Sequence, residues 1–251
     1  MNCRVALTER KQFISDTFIQ ISRCLITLGA VTVVLTVPAI SQNGEVQQRL
    51  AAAKQAAAEN RERLHQYQWV ETMQLTLKGD AKAPIQNGCV YGPDGQVHKT
   101  LLSPPPQPPS GGAVKQRIVA KKKAEMRDYM EDVKAVLSMY VPPDPQKMQA
   151  AYQAGKLSLN PVPGGVANLI FNDYAQPGDK MTLTFNTAAK KITGLNIDTY
   201  LGTEKDAVTL QVQMSTLPDG TNYPWQTVLN ATAKKLVVTT TNSNYQKVGA
   251  H

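Results

Sequence analysis

Hydrophobic positions in this chain keep a helical spacing up to about residue 66 and then alternate. Residues 44–66, "GEVQQRLAAAKQAAAENRERLHQ", contain no proline, and Leu50, Ala53, Ala57, Arg61 and Leu64 trace one thin stripe. So narrow a stripe predicts a helix lying on a surface rather than filling a core. In "WVETMQLTL" the period becomes two: Trp69, Met73, Leu75 and Leu77 share one strand face, opposite Val70, Thr72, Gln74 and Thr76. Glu71 interrupts the apolar face. It reads as a strand-end carboxylate reaching solvent, with a ligand site as the alternative. "CVYGPDGQVHKTLL" then places a "PDG" turn between two short strands.

The second half repeats this order at greater length. After the run "SPPPQPPSGG", Ser103 to Gly112, the residues Met126, Tyr129, Val133, Val136, Leu137 and Tyr140 recur at helical spacing up to Pro142. Asp144 as N-cap and Pro145 at the first position predict a shorter helix, with Met148, Ala151 and Tyr152 inward and Gly155 ending it. After "NPVPGG" the chain reads as strands to its end. Met181, Leu183 and Phe185 alternate in one, and Val208, Leu210, Val212 and Met214 in another. "LPDGTNYP" leads into "WQTVLNAT", which begins at Trp225, and "KKLVVTTTNSNYQKV" comes last. Short polar turns between them predict an antiparallel meander. The strands before the proline run are too few to bury their apolar face alone. The run is therefore expected to be a polyproline-like surface loop, 103–112, inside one domain; a two-lobed chain and a docking site for a proline-reading module are the alternatives.

The first 41 residues stand apart. Arg4, Arg10, Lys11 and Arg23 precede an apolar run from Cys24 to Val37, followed by "PAIS". This is the order of an export signal cleaved after Ala39 or Ser41, leaving residues 42–251 as the mature chain. An uncleaved anchor is the alternative, although the run is shorter than the ~20 residues that span a bilayer. No cysteine stands where a lipoprotein signal would carry one. Without residues 1–41 the chain keeps 23 Lys and Arg against 17 Asp and Glu, a net charge of +6. That balance favours anionic surfaces such as phospholipid headgroups. A nucleic-acid partner is not expected of an exported protein. Cys89 is the one cysteine left, which excludes an internal disulfide; it is expected to be a small buried hydrophobe, with intermolecular pairing as the alternative.

Catalytic chemistry is sparse. His65, His98 and His251 have no carboxylate or cysteine at ligand spacing, so no metal is expected. There is no G-x-S-x-G elbow, S-x-x-K or phosphate-cradling loop, and no cofactor or enzymatic activity is expected. Asp128, Glu131 and Asp132 read as the solvated face of their helix. Lys115, Arg117, Lys121, Lys122 and Lys123 form the one notable charge cluster. Cations at a helix N-terminus oppose its dipole, so they are not there for helix stability. Either they sit in a solvated loop with the helix beginning near Ala124, or they contact an anionic surface or an acidic partner.

Taken with this element order, "MTLTFNTAAKKITGLNIDTYL" and "LPDGTNYPWQTVLNATAKKLVVTTTNSNYQKV" resemble the strand–turn–strand and closing hairpin of the exported outer-membrane lipoprotein-sorting proteins. These are the LolA/LolB-like carriers and the periplasmic stress sensors related to them. Pro224 just after an aromatic and Tyr245 near the end carry the likeness, over residues 178–247. The proline loop is a departure from that family's pattern. The resemblance implies an α+β fold: a curved antiparallel sheet, an unclosed barrel, with helices over its concave face. It further implies a periplasmic protein, membrane-associated only transiently or through an uncleaved N-terminus, that binds an acyl chain or lipoprotein. A partner-binding or envelope-stress sensor module on the same fold is the alternative. The expected cleft is walled by Trp69, Met73, Leu75, Leu183, Phe185, Leu210, Val212, Met214 and Trp225 and lidded by Met126, Met130 and Leu137. Methionine suits ligands of variable shape, but the same residues equally describe a filled sheet-to-helix core.

Overall fold

A computed structural model describes residue 55 and residues 58–104, 113–186, 188, 189 and 191–249. The leader, most of the alanine-rich helix and the proline run from residue 105 to 112 lie outside the described residues. Among the described residues eleven strands form one antiparallel sheet. Four precede the proline run: β1 (Tyr67–Leu77), β2 (Asp80–Ala81), β3 (Ile85–Tyr91) and β4 (Val97–Leu101). Seven follow it: β5 (Leu157–Val162), β6 (Val166–Asn172), β7 (Lys180–Asn186), β8 (Lys191–Tyr200), β9 (Ala207–Thr216), β10 (Asn222–Ala231) and β11 (Leu236–Lys247). Their spatial order is β4-β3-β1-β11-β10-β9-β8-β7-β6-β5, with β2 hairpinned on β1.

The seven later strands are a meander, and its last member returns to β1, the first described strand. Met73 faces Thr240 and Glu71 faces Asn242, so β1 lies between β3 and β11. The sheet stays open, with β4 and β5 as its edges. Strand β5 begins at Leu157, ahead of the point where the alternation signalled strands. It carries Pro161, a residue a sheet admits at an edge because no neighbour needs its missing N–H. Strand β10 likewise begins at Asn222, three residues before the Trp225 expected from sequence. A bulge between Pro224 and Gln226 there leaves Trp225 without a partner on β9.

Three helices are described: α1 (58–64), α2 (Ala113–Leu137) and α3 (Pro145–Gln153). None of the described helices is long and apolar enough to cross a membrane. The described part of α1 lies on the surface with one buried face, and the expected stripe is corrected at Arg61. Asn60 and Leu64 are buried and Arg61 is exposed. The Asn60 amide donates to Asn222 O at 2.9 Å and accepts from Asn222 N at 2.8 Å, a polar contact that a hydrophobic pattern does not register. Helix α2 starts at Ala113, eleven residues before Ala124, because alanines and long cationic side chains with good helix propensity fill its first turns. Helix α3 is capped as its sequence predicts: Asp144 Oδ1 accepts from Gln146 N at 2.8 Å, and Gly155 takes φ +69° just beyond the end. Tyr152, expected inward, is 54% exposed, since Met148 and Ala151 hold the centre of the buried face and Tyr152 falls on its flank.

Cross-strand register sorts the sheet into two faces. Phe171, Met181, Ile197, Leu210, Leu229 and Val238 lie in successive strands on one face, aligned pair by pair from Phe171 to Val238, and each is at most 1% exposed. That inner face holds the core with Tyr129, Met130, Val133 and Leu137 of α2 and Met148 and Ala151 of α3.

Candidate functional site: the inner face of the sheet

The inner face changes character across the sheet. From β6 to β9 it is an apolar field, covered by α2. Met130, Val133 and Leu137 are 1%, 0% and 0% exposed and share one cluster with Leu183, Phe185, Leu210 and Val212. Of the residues expected to line a cleft, these and Met73 are buried together, while Leu75, Met126 and Met214 pack against them partly exposed. Two stand elsewhere. Trp69 is buried in a separate aromatic group, stacked on Tyr245 with ring centres 5.5 Å apart. Trp225 is 40% exposed on its bulge.

Beyond Met73 the same face turns polar at β1, β3, β4 and β11. Lys99 Nζ lies 2.5 Å from Glu71 Oε1, with side-chain exposures of 6% and 3%. The reading of Glu71 as a strand-end carboxylate reaching solvent is therefore overturned. Its side chain shares the inner face with Asn87 of β3, whose Nδ2 donates to Oε1 at 3.2 Å, and the charge of Lys99 comes from β4. Asn242 accepts from Trp69 Nε1 at 3.1 Å and donates to Pro224 O at 2.9 Å, beside the bulge of β10. Cys89 is buried here as expected, and burial with the nearby Glu71 charge pushes its thiol up to about 12. Burial also raises the Tyr245 phenol well above its ordinary value. Thr240, 2% exposed, has no hydrogen-bond partner for its Oγ1 among the described residues. Two of the histidines that are far apart in sequence meet the β3–β4 turn: His98 lies against Gly92 and Asp94, and His65 beside Gly95. Among the described residues no group of three or more His, Cys, Asp or Glu is placed to hold a metal.

Tyrosines fasten α2 to the sheet near its C-terminal end. Tyr129 Oη donates to Asp206 Oδ1 at 2.7 Å, in the β8–β9 connection. Just past the helix, Tyr140 Oη donates to Asp179 Oδ2 at 2.5 Å and lies 2.8 Å from Thr199 Oγ1. Burial raises both phenols, and the bonded carboxylates raise them further. Asp179 is itself buried and also accepts from the backbone N–H groups of Tyr174, Ala175 and Gln176. The N-terminal half of α2 carries no tyrosine and is mostly exposed among its described side chains. Arg117, Lys121, Lys122 and Lys123 are exposed, and the side chain of Lys115 lies outside the described residues. On the opposite face of the sheet, Gly178, Asp198, Tyr200, Glu204 and Thr209 border a shallow depression of about 270 Å³.

These features define an α+β protein with a large open antiparallel sheet and helices packed on one face. No protein-family model matches the chain. No curated protein matches it either. Among solved structures it is similar to a DUF1329 family protein from Desulfovibrio piger, at 10% identity and TM-score 0.37, over 77% of this chain and 92% of that one. It is also similar to a LolA superfamily protein from Nitrosomonas europaea, at 10% identity and TM-score 0.33, over 77% and 94%. A domain named for outer membrane lipoprotein sorting, from Vibrio parahaemolyticus, is similar at 10% identity and TM-score 0.31, over 77% and 92%.

Proposed function

We propose that the chain is an exported, non-enzymatic protein, residues 42–251 forming one domain, that holds the acyl chain of an amphiphilic ligand between its sheet and α2. The observation that carries this reading is the division of the inner face. An apolar field from β6 to β9 runs into a buried polar end at Glu71, Lys99, Asn87 and Asn242. Such a surface matches a molecule with a hydrocarbon chain and a polar head, and concave apolar sites with a few placed polar groups are the usual form of ligand sites. The resemblance of residues 178–247 to the lipoprotein-sorting family supports it, and the leader-like order of residues 1–41 supports a periplasmic location.

In the described state α2 fills the apolar field with Met130 and Leu137, so a ligand enters by displacing that helix. Methionine repacks with little cost in such an exchange. The same close packing favours a second reading, in which the core is permanently filled and the domain is a partner-binding module.

Native mass spectrometry of the protein purified from a periplasm without detergent separates the two, with lipid extraction of the same sample. A stoichiometric lipid adduct, lost in a folded Leu183→Asp variant, is the expected result. An apo mass that also ignores added lipid would move the assignment to the partner-binding reading.

A further inference from the structure

The first three turns of α2 are exposed along most of their described length. Lys122 stands four residues before Met126, in a row that is buried further along the helix, yet Lys122 is exposed. Val114 and Ile118 are 73% and 52% exposed, and the side chain of Lys121 is 80% exposed. Apolar and cationic side chains thus share a helix segment that is mostly exposed, with only Val119 and Ala124 half-buried among its described side chains. The surrounding sequence adds no compensating charge: Asp and Glu are absent from Gly95 to Ala124. The first acid is Glu125, 4.0 Å from Lys121 and itself 58% exposed, a solvent-screened pair of little strength.

We infer that this segment docks the protein on an anionic phospholipid surface, with Val114 and Ile118 entering the headgroup boundary and Arg117, Lys121, Lys122 and Lys123 facing the phosphates. A basic helix segment with exposed aliphatic residues is what an anionic interface holds: apolar burial and attraction between cations and lipid phosphates act together. The cations oppose the helix dipole and neutralise no packed carboxylate, so they do not serve the fold. The inference is independent of any ligand in the interior.

The test is flotation of the full chain with vesicles of phosphatidylcholine alone and of phosphatidylcholine mixed with phosphatidylglycerol. The triple variant Lys121→Gln, Lys122→Gln, Lys123→Gln and the double variant Val114→Ser, Ile118→Ser run alongside. All substituted side chains are exposed, so unchanged thermal unfolding is expected. The wild type should prefer the mixed vesicles, and salt should weaken that preference. The triple variant should lose about a hundredfold in affinity for the mixed vesicles, from about fivefold per lysine. The double variant should lose binding as well, because chain insertion contributes. Equal binding of wild type and triple variant overturns the inference, as does equal binding to both vesicle types, which would point to the leader as the anchor. Absence of vesicle binding also overturns it and leaves an acidic protein as the partner for the cluster.

Discussion

Lys99 Nζ lies 2.5 Å and 2.6 Å from the two carboxylate oxygens of Glu71, and both side chains are almost wholly removed from water. A pair so placed must balance a large desolvation cost with its own attraction, and removing one partner leaves a buried charge uncompensated. Lys99→Met should therefore destabilise the protein by about 3–5 kcal/mol. Replacing both, as Glu71→Leu with Lys99→Met, should recover most of that loss. Chemical denaturation of the double-mutant cycle measures the coupling; additive effects would show that the pair does not act as a unit.

Cys89 sits beside that pair, and its environment makes stability depend on alkaline pH. Burial carries the thiol from an ordinary 9.0 up to about 12. The folded state thus holds the thiol proton where the unfolded state releases it. The contribution is complete below pH 9 and is lost as pH rises from about 9 toward 12. Unfolding free energy should fall across that window, and Cys89→Ala should flatten the part of the slope due to the thiol. Tyr67, raised to about 12 by burial and its bond to Asp219, continues to contribute in Cys89→Ala above pH 10. Ellman's reagent should react with the native thiol far more slowly than with the denatured chain.

Alternation made most of the sheet legible, since a strand with one buried face writes its register into the sequence. The pattern of Met181, Leu183 and Phe185 and that of Val208, Leu210 and Val212 reappear as inner-face rows. It failed where the physics is not alternation. The proline and sparse apolar residues of β5 are tolerable because the strand is an edge. Trp225 belongs to an apolar set by type, but a bulge turns it out. Glu71 is polar by type, but its counter-charge lies 28 residues away, and only the β3–β4 pairing brings it near. Asn60 was invisible for the same reason, since its partner Asn222 is 162 residues distant.

The two tryptophans in the chain give a direct check of that distinction. Trp69 is 6% exposed and Trp225 is 40% exposed. Iodide should quench the native emission of a Trp69→Phe variant, which reports Trp225, and barely touch a Trp225→Phe variant. Trp69→Ala should cost about 3–5 kcal/mol of stability, whereas Trp225→Ala should stay within about 0.5 kcal/mol. Equal quenching of the two variants would contradict the bulged geometry of β10.

The tyrosine bonds of α2 connect stability to the proposed function. Tyr140→Phe removes the bond to Asp179 and the contact with Thr199, a loss of about 1.5–3 kcal/mol for a hydrogen bond to a charged group. Asp179 keeps its three backbone donors, so the loop around it should hold its shape while the fastening of α2 weakens. Hydrogen exchange in Tyr129→Phe/Tyr140→Phe should therefore rise in α2 before it rises in β7 to β9. If a ligand enters by displacing α2, the double variant should take up a fluorescent fatty acid faster than wild type despite its lower stability. A purely structural role gives the opposite order, with uptake unchanged or lost together with the fold. Faster exchange in α2 without faster uptake would mean that the apolar field is a closed core, and would shift the function to the exposed surfaces.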